Sequence, residues 1–199
     1  MTTGNTAHAQ VTILGTRPLL FHHFGPETIP ADGRRERVGV AGNNPDEWRK
    51  TVLVLPDTRQ LYVLPGYLFG SLRDGARHTP RKRGTLQSYV AATLHILDSR
   101  ILLDRTLPEE PLPTDPNAPV YLDIQSVRNP ATRARNVRYR VAVAPGWTCR
   151  FGMTWDRTIV STAEMEAVAH DAGRLCGIGD GRSIGYGRFE VTRFMLETG

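Results

Sequence analysis

Five glycines fall within eleven residues near the C-terminus, in Gly177-Ile178-Gly179-Asp180-Gly181-Arg182-Ser183-Ile184-Gly185-Tyr186-Gly187. The segment reads Gly-apolar-Gly, five residues, then Gly-apolar-Gly. Glycine adopts positive φ without a steric penalty and lets another backbone approach closely. Successive exposed N–H groups in such a segment form an anion nest. Arg182 lies inside it and Arg188 directly after it, both placed to grip phosphate through paired hydrogen bonds. The chemistry on offer is therefore phosphate binding, with Gly177, Gly179, Gly181, Arg182, Ser183, Gly185, Gly187 and Arg188 as candidates. It is not a Walker P-loop, because no Gly-Lys-Ser/Thr follows. Nor is it a dinucleotide fingerprint, because the glycines precede a strand instead of joining a strand to a helix. The bland alternative is a tight helix-to-strand connection that binds nothing.

Two more segments are basic. Between Arg128 and Arg140 five arginines (Arg128, Arg133, Arg135, Arg138 and Arg140) occupy thirteen residues. By strand parity Arg138 and Arg140 share a face, which would present a stripe that tracks phosphates. Tyr139 falls on the opposite face and reads as core. The other run is Arg73, Arg77, His78, Arg81, Lys82 and Arg83. Each taken alone also reads as a solvated charged face; three together suggest a phosphate path. For catalysis the pattern is thinner. His22-His23 could act as a general acid or base, although surface or structural histidines are the commoner reading of such a pair. No His-Glu-x-x-His or comparable ligand cluster occurs, so no metal and no cofactor is expected.

The elements that must position these residues follow from periodicity. Gln10–Leu14 alternates as a strand. Residues 25–50 read as a loop insertion. Thr51–Leu55 and Gln60–Leu64 flank Pro56-Asp57-Thr58-Arg59, a hairpin signature. Pro65-Gly66 opens a helix with Leu68, Leu72, Gly75 and Ala76 on one face. A second helix is expected over about 85–97, burying Leu86, Val90, Leu94 and Leu97, and a short strand over 100–104. Residues 105–119, with five prolines from 107 onward, form an irregular connection. Val120–Ile124 alternates. Val137–Ala144 and Trp147–Trp155 also alternate about Pro145-Gly146, which predicts an antiparallel hairpin between them. Ser161-Thr162-Ala163-Glu164 is a capping box, and the helix behind it is expected to bury Met165, Val168, Ala169, Ala172 and Leu175. Gly177 stops that helix, and Phe189–Leu196 is the last strand. The order fits an α+β, ferredoxin-like (RRM-like) βαββαβ core with insertions.

The Gly-apolar-Gly repeat with Arg182 inside, between last helix and last strand, resembles the glycine-rich loop of the RAMP superfamily of CRISPR-associated proteins. All four flanking glycines, Ile178, Tyr186 and Arg182 match. Leu64-Pro65-Gly66 with Leu72-Arg73 resembles the start of the first helix in that family's backbone subunits. The resemblance implies a non-catalytic backbone subunit that binds guide RNA phosphates and oligomerises along the RNA. It also implies a β-hairpin thumb, for which 127–140 is the candidate. Implied partners are guide RNA, target DNA or RNA, copies of the same chain and other effector subunits. Some members cleave RNA with an N-terminal histidine or a loop aspartate; His22, His23 and Asp32 are the weak counterparts here. An endoribonuclease and a structural protein without nucleic acid therefore stay open as alternatives.

Bulk properties agree. The 199 residues carry a formal charge of +5 and a pI near 9.6, which favours a polyanionic partner. The only lysines are Lys50 and Lys82, so arginine carries the positive charge. Forty per cent hydrophobic residues suffice for one core, and the chain is expected to be one domain. No run of 18 apolar residues exists, so no membrane partner is expected. The first residues lack a secretory pattern, which points to the cytoplasm. Cys149 and Cys176 fit two reduced thiols.

Overall fold

A computed structural model describes residues 4–25, 44–128, 133 and 135–197. Its main sheet holds β1 (Thr6–Gly15), β3 (Gln60–Val63), β7 (Ile101–Thr106), β10 (Thr148–Asp156) and β11 (Phe189–Leu196), in the order β11-β1-β10-β7-β3. A short strand, β6 (His95–Ile96), also pairs with β10. Every pairing is antiparallel. Two helices lie between the strands in sequence: α2 (Pro65–Gly75) follows β3, and α4 (Thr162–Asp171) follows β10. The kernel β1-α2-β7-β10-α4-β11 is thus the α+β, ferredoxin-like βαββαβ arrangement, with its last strand beside its first.

Alternation explains which face is covered. In β1, Ala7, Ala9, Val11 and Ile13 are buried while the residues between them are not. With Phe151, Met153 and Trp155 of β10 they meet Leu68 and Leu72 of α2 and Met165, Val168 and Ala169 of α4 in one core. The helices approach closely at Gly75, where an added Cβ would lie 2.6 Å from the Ala172 nitrogen. The capping box starts α4: Ser161 Oγ accepts from the Glu164 N–H, and Glu164 accepts from the Ser161 N–H at 2.8 Å.

A second sheet stands beside the first, in the order β2 (Leu19–Leu20), β9 (Arg135–Val143), β8 (Val120–Arg128). One side of it, through Leu19, Val120, Val141 and Val143, joins the main core. The other side forms a small cluster of Leu20, Tyr121 and Ala142, with Tyr186 of the glycine loop packed on it.

Several sequence expectations change. The expected hairpin between 137–144 and 147–155 does not form. β9 pairs with β8 over nine residues, Val120–Arg128 against Arg135–Val143, and β10 belongs to the other sheet. Pro145-Gly146 is therefore a crossing between sheets. The Gly146 N–H donates to the Gly15 carbonyl at 2.7 Å, and Trp147 is buried on Gly15, where a Cβ would lie 2.0 Å from the indole. The hairpin expected over 51–64 survives as one bridge, Val54 with Leu61. Of its first arm only Thr51 belongs to a helix, α1 (Glu47–Thr51), and β3 pairs with β7 instead. The second helix, α3, spans only Gln87–Thr93, because β6 draws the next residues into the sheet; Leu97 is exposed. Leu175 is also exposed, because a π-turn over Ala172–Cys176 shifts the phase of α4 at its end. The capping, Gly177 and the last strand agree with expectation.

Candidate nucleic-acid interface

The glycine loop has a closed base and an open tip. At the base Gly177 turns at φ 74° and Ile178 is buried. The Ile178 N–H donates to the Gly187 carbonyl at 3.0 Å, and the Gly187 N–H donates to Pro18 at 2.7 Å. A Cβ at Gly187 would sit 1.8 Å from the Ile178 oxygen. The Asp180 N–H donates to the Leu20 carbonyl at 2.9 Å, which ties the loop to β2. These amides are consumed by the fold and are closed to any ligand.

The tip differs. Gly181 is left-handed (φ 71°, ψ 15°) and leads into a 3-10 turn over Arg182–Ile184. A left-handed residue followed by right-handed ones makes the N–H groups converge into a nest. The N–H groups of Gly181, Arg182 and Ser183 donate to no acceptor among the described residues, whereas those of Ile184, Gly185 and Tyr186 bond within the loop. Sequence reasoning treated the glycines alike; in the structure the amides of Gly181, Arg182 and Ser183 stay open at the tip, Gly177 and Gly187 close the base, and Gly179 packs on Leu19 and Leu20 at the edge of the cleft. Gly185 (φ 95°) returns the chain with open space around it.

The tip lines a cleft of about 730 Å³, whose other wall is the end of α2 with Asp74, Arg77 and His78. Arg182 lies 3.5 Å from the Asp74 carboxylate, and Arg77 3.8 Å from it. These are long, partly exposed pairs, worth about 0–1 kcal/mol each, so an arriving phosphate can draw both arginines away. Arg188 donates to the Arg182 carbonyl at 3.4 Å, and its Nη1 is buried without a partner. Arg73 is paired with Asp74 at 2.9 Å. Asp74 was missed by sequence reasoning, since a single acid within a basic run carries no pattern of its own.

The β8–β9 hairpin divides its arginines. Arg128 and Arg135 are cross-strand partners, and with Arg133 they are exposed; residues 129–132 and 134 between them lie outside the described residues. Arg138 pairs with Glu47 of α1. Arg140 corrects the parity reading: it is 5% exposed and turned into the protein. Its guanidinium meets Asp123 at 3.0 Å and Asp180 at 2.8 Å. Gln125 bridges Asp123 to the Tyr186 hydroxyl, at 2.9 and 2.7 Å. A buried arginine cannot track phosphates; this one fastens the hairpin to the glycine loop.

Arg81, Lys82 and Arg83 stand apart from the loop. They occupy a small hairpin, β4 (Pro80–Arg81) and β5 (Gly84–Thr85), with its own cleft. His22 is half-buried beside Phe24, ring centroids 4.8 Å apart, and its Nδ1 has no partner. Burial lowers its pKa, against a raising influence from Glu47 and Asp180. His23 lies next to it, its N–H bonded to the Thr51 carbonyl. Asp32 lies outside the described residues. No group of three or more metal-ligating side chains occurs among the described residues. Among them, too, no helix is long and apolar enough to cross a membrane.

No family model matches the chain, and no curated protein matches it. A solved structure does. The fold is shared with a chain of Type III-B Cmr-beta bound to cognate target RNA. The two superpose with a TM-score of 0.53 at 13% identity, over 96% of this chain and 60% of the Cmr-beta chain. This chain therefore spans about 60% of that neighbour's length, and at such identity the likeness is one of fold.

Proposed function

We propose that this chain is a non-catalytic RNA-binding subunit of a CRISPR-type effector ribonucleoprotein. It binds guide RNA through backbone phosphates, and copies of it line up along the strand. One observation carries the reading. The glycine loop opens its unbonded amides at Gly181, Arg182 and Ser183 into a cleft that also holds Arg77, Arg182 and Arg188. The ferredoxin-like core and the Cmr-beta chain of the same fold support it. The β8–β9 hairpin, with Arg128, Arg133 and Arg135 exposed near its end, serves as the thumb over a neighbour's RNA. Contacts of this kind fix position without reading sequence. Burial lowers the His22 pKa, which works against a general-acid role for it.

The test is purification of the full chain with light scattering and analysis of bound nucleic acid. The expected result is an RNA-bearing oligomer, and affinity for single-stranded RNA that drops in Arg182→Glu/Arg188→Glu. A nucleic-acid-free monomer whose RNA affinity ignores that double change contradicts the proposal.

A further inference from the structure

The small hairpin β4–β5 makes a two-residue turn, with Arg81 paired to Gly84 across it. Lys82 sits in that turn at φ 50°, a left-handed backbone position that favours glycine or asparagine. A lysine held there strains the backbone, and strain of this sort gathers at ligand sites. The turn faces α3 across a cleft of about 580 Å³. In that cleft the Arg81 guanidinium lies over the Tyr89 ring, 4.6 Å from its centroid. Arg81 also donates to the Ile159 carbonyl, which pins the guanidinium in place. Tyr89 remains 40% exposed.

Charge separates this cleft from the one at the glycine loop. There Asp74 and Asp180 stand among the arginines. Here the wall is Arg81, Lys82, Arg83, Thr85, Ser88 and Tyr89 with no carboxylate, and none of the three cations makes an ion pair among the described residues. A flat cation–aromatic stack, with the Glu164 carboxylate acting on Arg81 and with Lys82 and Arg83 beside it in no ion pair among the described residues, suits one ligand chemistry, a base with its flanking phosphates.

We propose that this cleft is a nucleotide subsite for single-stranded nucleic acid. An unpaired base stacks on the Arg81–Tyr89 pair, and Lys82 and Arg83 hold the adjoining phosphates. The subsite deepens the RNA-binding reading but stands on residues the glycine loop does not share.

The experiment uses the full chain with a fluorescent oligo(U) and an oligo(dT) of equal length, and a 4-thiouridine oligonucleotide for photo-crosslinking. Trypsin cuts after Arg83 and Arg100, so Tyr89 lies in one peptide, Gly84–Arg100. The expected cross-link falls in that peptide. Tyr89→Ala weakens both oligonucleotides about 5- to 150-fold, and Tyr89→Phe, which keeps the ring, restores binding to within about twofold of wild type. Lys82→Gly separates binding from folding: it relieves the strained turn and raises the melting temperature, yet lowers the salt slope of binding by about 0.7. Cross-links confined to the glycine loop, or affinity unchanged in Tyr89→Ala, overturn the subsite and leave the glycine-loop reading standing. Failure to bind either oligonucleotide overturns both.

Discussion

Replacing Arg140 by alanine tests whether the hairpin and the glycine loop are fastened by a buried charge. Arg140 and Asp123 lie 3.0 Å apart with side chains 6% and 9% exposed. At that separation, and an effective dielectric near 20, their gross attraction is about 5 kcal/mol. Desolvation of the two groups offsets most of it, so the intact pair adds little net stability. Removing only the arginine is another matter, because Asp123 is then left buried without its cation. The expected loss is about 3–5 kcal/mol, or roughly 6–20 °C in melting temperature for a chain of this size. Arg140→Met/Asp123→Leu removes both charges and should cost clearly less than Arg140→Ala. Urea unfolding followed by tryptophan fluorescence reads this directly, since Trp147 and Trp155 are fully buried. A loss below about 1 kcal/mol in Arg140→Ala, or a double change that is worse than the single one, would refute the reasoning.

The two loop glycines Gly187 and Gly185 should separate on substitution by alanine. Gly187→Ala drives a Cβ to 1.8 Å from the Ile178 oxygen and should leave little folded protein, while Gly185→Ala meets nothing within 4 Å and costs only the left-handed penalty, about 1–2 kcal/mol; thermal melts of both check it. The Glu164 carboxyl is held below its ordinary range by the Ser161 backbone and hydroxyl bonds. That depressed value means the cap's contribution is present above about pH 4.5 and fades as pH falls through the folded value. Ser161→Ala should therefore lower stability by about 1 kcal/mol at pH 7, and the gap to wild type should narrow in acid. Of the two thiols, Cys149 is pushed up to about 12 by burial. Cys176 should react with a disulfide reagent at pH 8 in the native state and Cys149 only after unfolding.

How much of this was legible in the sequence depends on whether the signal was local. The alternation of β1 and the Ser161–Glu164 box are written within a few residues of the element they set, and each formed as expected. Partner choice is not local. β9 and β10 both alternate and a Pro-Gly turn joins them, yet Gly146 bonds to Gly15, more than a hundred residues away, and sends the two strands to different sheets. Parity placed Arg140 on a solvent face because that rule assumes one covered side; β9 lies between the main core and a second cluster, so both faces are covered there. Asp123 and Asp180, which turn the arginine inward, carry no mark of the pairing in the sequence. The glycine loop was visible as composition, but the division between closing amides and open ones depends on where Pro18 and Leu20 lie. Tyr89 was not singled out, because it falls off the face of Leu86, Val90 and Leu94 and carries no pattern of its own; the arginine laid over it in the fold is what marks it.

The central claim is that Arg182 and Arg188 hold phosphates of a single strand at the glycine loop. Affinity for single-stranded RNA measured across a salt series, for wild type and for Arg182→Gln/Arg188→Gln, tests it most directly. Each lost phosphate contact on a single strand lowers the slope of log affinity against log salt by about 0.7, so the double variant should lose about 1.4. Parallel lines for the two proteins would contradict the account.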